Sequence, residues 1–446
     1  MRLEEKLKKL DRYPFHMPGH KRNGEFSIPC SDIDITEIDG FDNLHNAEGI
    51  LKDIEAELSK LYESKRSFML VNGSTCGILA SIFSLCDFGD KIIIARNCHK
   101  SVYNACYLRR LRVEYIYPTQ TPFGCGAVMQ EDIDTAIADN PDAKAVVITS
   151  PTYEGIISRV KSKIPLLVDS AHGAHLGFSP LFPQRISGDI TVQSLHKTLP
   201  ALTQTAMLNV YNPKLEPKIK KYIDMFETSS PSYVLMNSIS RCALFLESSV
   251  ENYKEFSARL DRVYETLEKC RNLSCCSEKT NGGFEQDRSR IVIGSSKKIS
   301  GSELAEMLRN DYLIEPEAVT SDYVILISTV CDTDEGINLL CKAINEINSR
   351  IDSLCDKPIK NDYRSIVCEK RFETWETESV TPTEFNKCEG KICGEFIYAY
   401  PPGIPIIAPG EIISGEILAQ ISDLSKKNVN LISDGNLLPH QILTKA

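Results

Sequence analysis

Residues 165–198 read PLLVDSAHGAHLGFSPLFPQRISGDITVQSLHKT. They contain two apolar runs that predict buried strands, Pro165 to Asp169 and Ile190 to Leu195. Each run ends on residues able to do chemistry: Asp169 closes the first, and Ser194-Leu195-His196-Lys197-Thr198 sits at the end of the second. Short apolar runs without alternation suit strands covered on both faces, as in a parallel sheet. In such sheets ligands gather beyond the strand C-termini.

Working outward, the same unit recurs. Ile50, Leu51, Ile54, Leu58 and Leu61 recur at helical spacing within Ala47 to Tyr62, a strand is predicted at Phe68 to Val71, and the glycine turn Asn72-Gly73-Ser74-Thr75 follows. Further strands are predicted at Lys91 to Ala95, Val113 to Tyr117 and Ala145 to Thr149, with helices after Asn97 and Gln130. Strands alternating with helices predict an α/β fold, a mostly parallel central sheet with helices on both faces. Beyond Pro213 the pattern turns to amphipathic helices, nearly continuous from Met236 to Leu273. Strands at Arg290 to Gly294 and Tyr323 to Ser328, with helices at Ser302 to Arg309 and Asp334 to Ile351, predict a smaller α+β lobe. The last segment, Asp362 to Ala446, is expected to fold onto that lobe. The expected division is an N-terminal arm over 1–46, a major domain over 47–285 and a C-terminal small domain over 286–446, since a chain of 446 residues exceeds the usual single core.

Composition narrows the function classes. Lys and Arg number 51 against 61 Asp and Glu, a net charge of -10, which argues against nucleic acid and membrane partners. The first residues, MRLEEKLKKLDRYPF, alternate charges without the apolar run of a signal peptide, and no later stretch is long enough to span a bilayer. A cytoplasmic enzyme acting on small molecules is expected. The 16 cysteines show no CxxC pair and no Cys/His zinc spacing, so no metal site is expected and buried thiols in a reducing compartment are.

Lys197, beyond a strand and flanked by an imidazole and a hydroxyl, is placed to form an imine with an aldehyde cofactor, because burial and a neighbouring cation lower a lysine's pKa. A surface lysine after a strand would look the same. Asp169 is placed to face a protonated ring nitrogen, although strand-end aspartates commonly cap the next helix. Gly73, Ser74 and Thr75 lie between a strand and a helix, where backbone N–H groups can hold a phosphate. His99, in Asn97-Cys98-His99-Lys100-Ser101, follows another strand and is placed to stack on a ring; lone histidines are more often structural hydrogen-bonders.

The order of phosphate turn, histidine, aspartate and lysine now has a precedent. The run Val192-Gln193-Ser194-Leu195-His196-Lys197, continued by Thr203-Gln204-Thr205-Ala206, resembles the pyridoxal-phosphate attachment signature of the ornithine/lysine/arginine decarboxylases, which have the aspartate-aminotransferase-like fold of type I pyridoxal-phosphate enzymes. FHMPGHKRNG near the start, Thr36-Glu37, Asp42-Asn43-Leu44-His45, SPTYEG at 150–155, DSAHGAHLGF at 169–178 and YPPGIPIIAPGE at 400–411 carry the same resemblance, which is thin between Glu216 and Cys388. It implies pyridoxal 5′-phosphate as cofactor, held by Lys197 as a Schiff base. It also implies that Asp169 pairs with the pyridinium nitrogen, that His99 stacks on the ring, and that Ala171 and His172 lie against it. Gly73, Ser74, Thr75, Ser194 and His196 would bind the phosphate or flank the Schiff base. The implied reaction is decarboxylation of a basic amino acid, arginine before lysine or ornithine, by a short bacterial form of the family. The implied assembly is a homodimer or a higher assembly of dimers.

One departure stands out: between Gly155 and Ile164 the chain has only IISRVKSK, where the family carries a full helix. A basic substrate needs a distal anion, and Glu37, Asp39 and Asp42 form the acidic cluster near the N-terminus; a solvated loop is the plainer reading for at least one of them. Lys197 or His196 would return a proton to the product. Competing readings are another type I enzyme, an aminotransferase or lyase using Arg364 or Arg371 for the α-carboxylate, and a non-catalytic relative, which would have no need of Lys197, Asp169 and His99.

Overall fold

A computed structural model describes residues 2–26, 28–295, 298–356, 366–399, 403–427 and 429–446. The apolar runs form one sheet in the order Arg66–Leu70, Ala206–Val210, Ile190–Ser194, Leu166–Asp169, Ala143–Thr149, Lys91–Ala95, Arg112–Ile116. Neighbours are parallel except at Ala206–Val210, which runs antiparallel to the strand on each side. Ile92, Ile93, Ile94, Val147, Ile148, Leu167, Val168 and Val192 are fully buried in it, each such side chain contributing roughly 1.5–3 kcal/mol. The helix Gly73–Leu85 lies directly on the sheet: a Cβ at Gly77 would come within 2.8 Å of Leu70 Cδ1 and Val192 Cγ1.

The stretch read as one helix from Met236 to Leu273 is two, Tyr233–Glu247 and Val250–Glu268. The break falls at Ser248-Ser249, where the Ser249 hydroxyl donates to the Leu246 carbonyl (3.1 Å) and diverts it from the helical ladder. The smaller lobe begins earlier than residue 286. Its antiparallel sheet, in the order Ser274–Cys275, Arg290–Gly294, Tyr323–Ile327, Ala318–Val319, already takes in a strand ahead of that point. Its core also contains Tyr253, Phe256, Leu260 and Val263 of the second helix.

Residues 156–165 indeed form no helix. They bind the smaller lobe instead: Ile156 bridges Gln286, Ile157 N–H donates to the Glu285 carbonyl (3.0 Å), and Asp287 N–H to that of Gly155 (2.9 Å). Ile156 is buried against the smaller lobe and Ile157 and Val160 in the core of the major sheet, so apolar cover survives the loss of the helix.

The described part of the C-terminal segment corrects the sequence expectation, because it packs chiefly on the major domain. Arg96, buried just past the strand Lys91–Ala95, donates to the Pro405 carbonyl (2.8 Å) and pairs with Glu411 (3.1 Å). Glu373 accepts from the N–H of Val113 on the sheet's edge strand (3.1 Å), and Trp375 Nε1 donates to the Leu111 carbonyl (3.2 Å). Contact with the smaller lobe includes Ser302, whose hydroxyl donates to the Lys427 carbonyl (3.0 Å). The physical reason is demand: an edge strand with unpaired N–H groups and a buried guanidinium both need acceptors, which this segment supplies. Glu411→Ala, which strands the Arg96 charge, is expected to lower stability by about 3–5 kcal/mol, read as a shift of the denaturant midpoint at unchanged slope. Among the described residues no helix is long and apolar enough to cross a membrane.

Candidate active site

The C-terminal ends of five sheet strands meet at one cleft of about 200 Å³, lined by Ser74, Asn97, His99, Thr149, Thr152, Tyr153, Asp169, Ala171, His172, Lys197, Glu317 and Ile404. Topology explains the gathering: in parallel strands the segments that follow each C-terminus emerge on one side. Lys197, Asp169, His99, Ala171, His172 and Ser74 are therefore brought together as the sequence implied.

Lys197 rides on the short helix Leu195–Thr198. His172 Nε2 stands 3.1 Å from its Nζ, and on the far side of that ring Arg290 Nη2 donates to His172 Nδ1 (3.0 Å) and to the His172 carbonyl (3.2 Å). A guanidinium has only donors, so Nδ1 accepts and the proton of the neutral ring sits on Nε2, aimed at the lysine. An ammonium has no lone pair to receive it; the contact requires Lys197 as the free amine. The electrostatics agree. Burial pushes the Lys197 pKa below its ordinary value, Asp169 opposing and Arg290 reinforcing. Burial, reinforced by the Arg290 charge, holds the His172 imidazole neutral.

Asp169 is buried, and one of its oxygens accepts from the Ala171 N–H (3.2 Å). Burial raises its pKa, with Lys197 pulling the other way. His99 is the N-cap of the helix Lys100–Leu108: its Nδ1 accepts from the Ser101 N–H (3.2 Å), which fixes the ring while leaving a face to the cleft. It is structural hydrogen-bonder and cleft wall together, and burial lowers its pKa to about 4.

At the other end of the cleft, Gly73 opens the helix Gly73–Leu85 with φ +73°, a conformation glycine takes without strain, and the N-cap Asn72 makes no side-chain cap. Ser74 lines the cleft; Gly73, Thr75 and Ser194 do not, although Ser194 Oγ is buried without a partner. His196 departs from expectation. Its Nδ1 bonds the Thr205 carbonyl (2.9 Å), and the side chain does not line the cleft.

Tyr153, Glu317 and Arg290 have no role that the sequence alone predicts. Tyr153 packs edge-on to His172 (5.0 Å between ring centroids, 74°) and donates to Glu317 (2.7 Å). Arg290 carries a signal in hindsight, a charge leading the otherwise apolar strand RIVIG, yet its side chain is fully buried. Arg371 is exposed and paired with Glu369 (2.8 Å), and Arg364 lies outside the described residues, as do Tyr400, Pro401 and Pro402 of YPPGIPIIAPGE. Asp42 accepts from the N–H groups of Glu48, Gly49 and Leu51, the turn that begins the helix Ile50–Leu61, and neither it nor Glu37 or Asp39 lines the cleft.

This architecture is that of the type I pyridoxal-phosphate enzymes. Residues 6–277 match the family described as Orn/Lys/Arg decarboxylase, major domain, and residues 359–428 match Orn/Lys/Arg decarboxylase, C-terminal domain, so the chain belongs to the Orn/Lys/Arg decarboxylase family. It is 30% identical to the uncharacterised protein YaaO of Bacillus subtilis, over 97% of this chain and 95% of that protein. It is 29% identical to an arginine decarboxylase of Halalkalibacterium halodurans, over 92% of this chain and 89% of the other. The crystal structure of the Francisella novicida lysine decarboxylase LdcF superposes with a TM-score of 0.82 at 19% identity, covering 100% of this chain and 81% of that one. Pyridoxal 5′-phosphate is the cofactor of this family and fold, and the cleft fits it. Asn97 Oδ1, on the cleft wall, is buried without a partner among the described residues, and an uncapped helix N-terminus opens beside Ser74, where a phosphate is favourably held.

Proposed function

We propose that this chain decarboxylates a basic amino acid, with Lys197 as the cofactor's attachment point, releasing carbon dioxide and a polyamine-type amine. The observation that carries the reading is the placing of Lys197, in contact with His172, in one cleft with Asp169 and His99. Arginine is the favoured substrate, then lysine or ornithine, a ranking supported by the near-full-length likeness to an arginine decarboxylase. The reading is tested by incubating purified protein with each of the three and assaying carbon dioxide and amine; keto-acid formation, or no product, would defeat it.

When bound, pyridoxal phosphate supplies the electron sink that lets a carboxylate leave an amino acid's α-carbon. The residues do the rest. Asp169 offers a carboxylate to the ring nitrogen, Ser74 at the N-terminus of the helix Gly73–Leu85 holds the phosphate, and His99 and Ala171 fix the ring's faces. Lys197 Nζ, kept unprotonated, is the nucleophile. With His196 turned to Thr205, the proton returned to the α-carbon is held by Lys197 Nζ or by His172 Nε2 beside it.

Arg290 acts through His172 and through its own charge, both of which hold the lysine's pKa down. Cofactor capture by the apoenzyme needs the free amine, so its rate rises with pH through that pKa. Arg290→Gln removes both effects, raises the pKa and is expected to move the midpoint of capture rate against pH upward, by about one unit or more. Stopped-flow absorbance on added cofactor reads this without turnover, and superimposable profiles would refute the role.

The N-terminal arm leaves Tyr13, Phe15 and Met17 exposed, which supports assembly of this chain as a homodimer or a higher assembly of dimers. Sixteen thiols, all free, support a cytoplasmic setting, although Cys30, Cys331 and Cys355 are exposed rather than buried.

A further inference from the structure

Among the described residues, the carboxylates that line the cleft are Asp169, which is buried, and Glu317, which is exposed. Asp169 serves the cofactor end. No step derived above uses Glu317, and its position is well defined. It precedes the strand Ala318–Val319 of the smaller lobe, and its backbone N–H donates to the Ile325 carbonyl (2.9 Å). Its Oε1 accepts from the Tyr153 hydroxyl (2.7 Å), Tyr153 packs against His172, and His172 touches Lys197. A relay of side chains thus runs from the attachment lysine to a carboxylate at the mouth of the cleft.

Among the described residues no cation lies within ion-pair distance of that carboxylate. The neighbouring Glu315 is paired with Arg309 (2.7 Å), whereas the bonded partner of the Glu317 side chain among the described residues is a phenol. Its charge still reaches Lys197 and Arg290. One oxygen is held by Tyr153, which leaves the other for a ligand. A cation entering a partly enclosed cleft without a counter-charge would lose hydration uncompensated, and a charge-assisted hydrogen bond to a fixed carboxylate meets that need.

We propose that Glu317, held by Tyr153, receives the distal ammonium or guanidinium of the substrate and so sets the preference for basic amino acids. The assignment rests on the decarboxylase reading and deepens it.

The test compares wild type, Glu317→Gln and Tyr153→Phe on arginine, lysine and ornithine, and on an uncharged analogue of whichever serves best, citrulline for arginine or norleucine for lysine. For Glu317→Gln the expected result is a rise in KM of about tenfold or more for the basic substrate. Activity on the uncharged analogue stays within about twofold. Calorimetric binding of the amine product to the holoenzyme weakens by the same factor as KM rises. Tyr153→Phe, which keeps the charge but frees it, gives a smaller rise in KM. An unchanged KM in Glu317→Gln, or an equal loss on charged and uncharged substrates, overturns the assignment while leaving the decarboxylase reading intact. A wild type that releases no carbon dioxide from any of the three overturns that reading, and this assignment with it.

Discussion

Lys197→Ala is expected to give a colourless protein whose decarboxylation rate is lower by at least about 10³-fold. Wild type loaded with pyridoxal phosphate should be yellow from the lysine-bound chromophore. The loss is large because the lysine does two jobs: it offers the amine that the substrate displaces, and it is one of the groups placed to return the proton. Its side chain lies against His172 without filling a hydrophobic core, so truncation should leave the melting temperature of the apoprotein nearly unchanged. Absorbance after dialysis against cofactor, together with carbon dioxide release, checks the result. A yellow variant would place the attachment elsewhere, and a wild type that stays colourless with added cofactor would refute a lysine-bound cofactor.

Asp169→Asn carries the second large effect. The amide is nearly isosteric and can still accept from Ala171, but it cannot balance a cationic ring nitrogen. Without that balance the ring withdraws electrons poorly, and kcat is expected to fall by about 10²-fold or more while the yellow colour persists. The pH dependence follows from sign. In the cofactor-free chain burial raises the Asp169 pKa, and protonation removes the charge the ring needs, so cofactor binding to the apoprotein should fail on the acid side at a higher pH than an ordinary carboxylate would give. The variant should lack that acid limb. Cofactor titrations across pH decide it.

Lys197, Asp169 and His99 were legible in the sequence because each follows an apolar run, and the register of a parallel sheet delivers such positions to one edge. His196 lies off the cleft for a local reason. Successive residues on a helical turn point about 100° apart, so a neighbour of Lys197 faces away from the cleft and finds the Thr205 carbonyl. Arg290, Tyr153 and Glu317 were illegible in role because they depend on how the smaller lobe docks over the sheet, which no local periodicity encodes. The placement of the C-terminal segment failed similarly. Its destination is set by Arg96 and Glu411, separated in sequence by 315 residues, a pairing that only tertiary structure reveals.

Arg290 belongs to one lobe and His172 to the other, and their hydrogen bond is the joint through which the lysine's basicity is held down. The setting of the amine is therefore assembled from both halves of the fold, and neither lobe alone contains it.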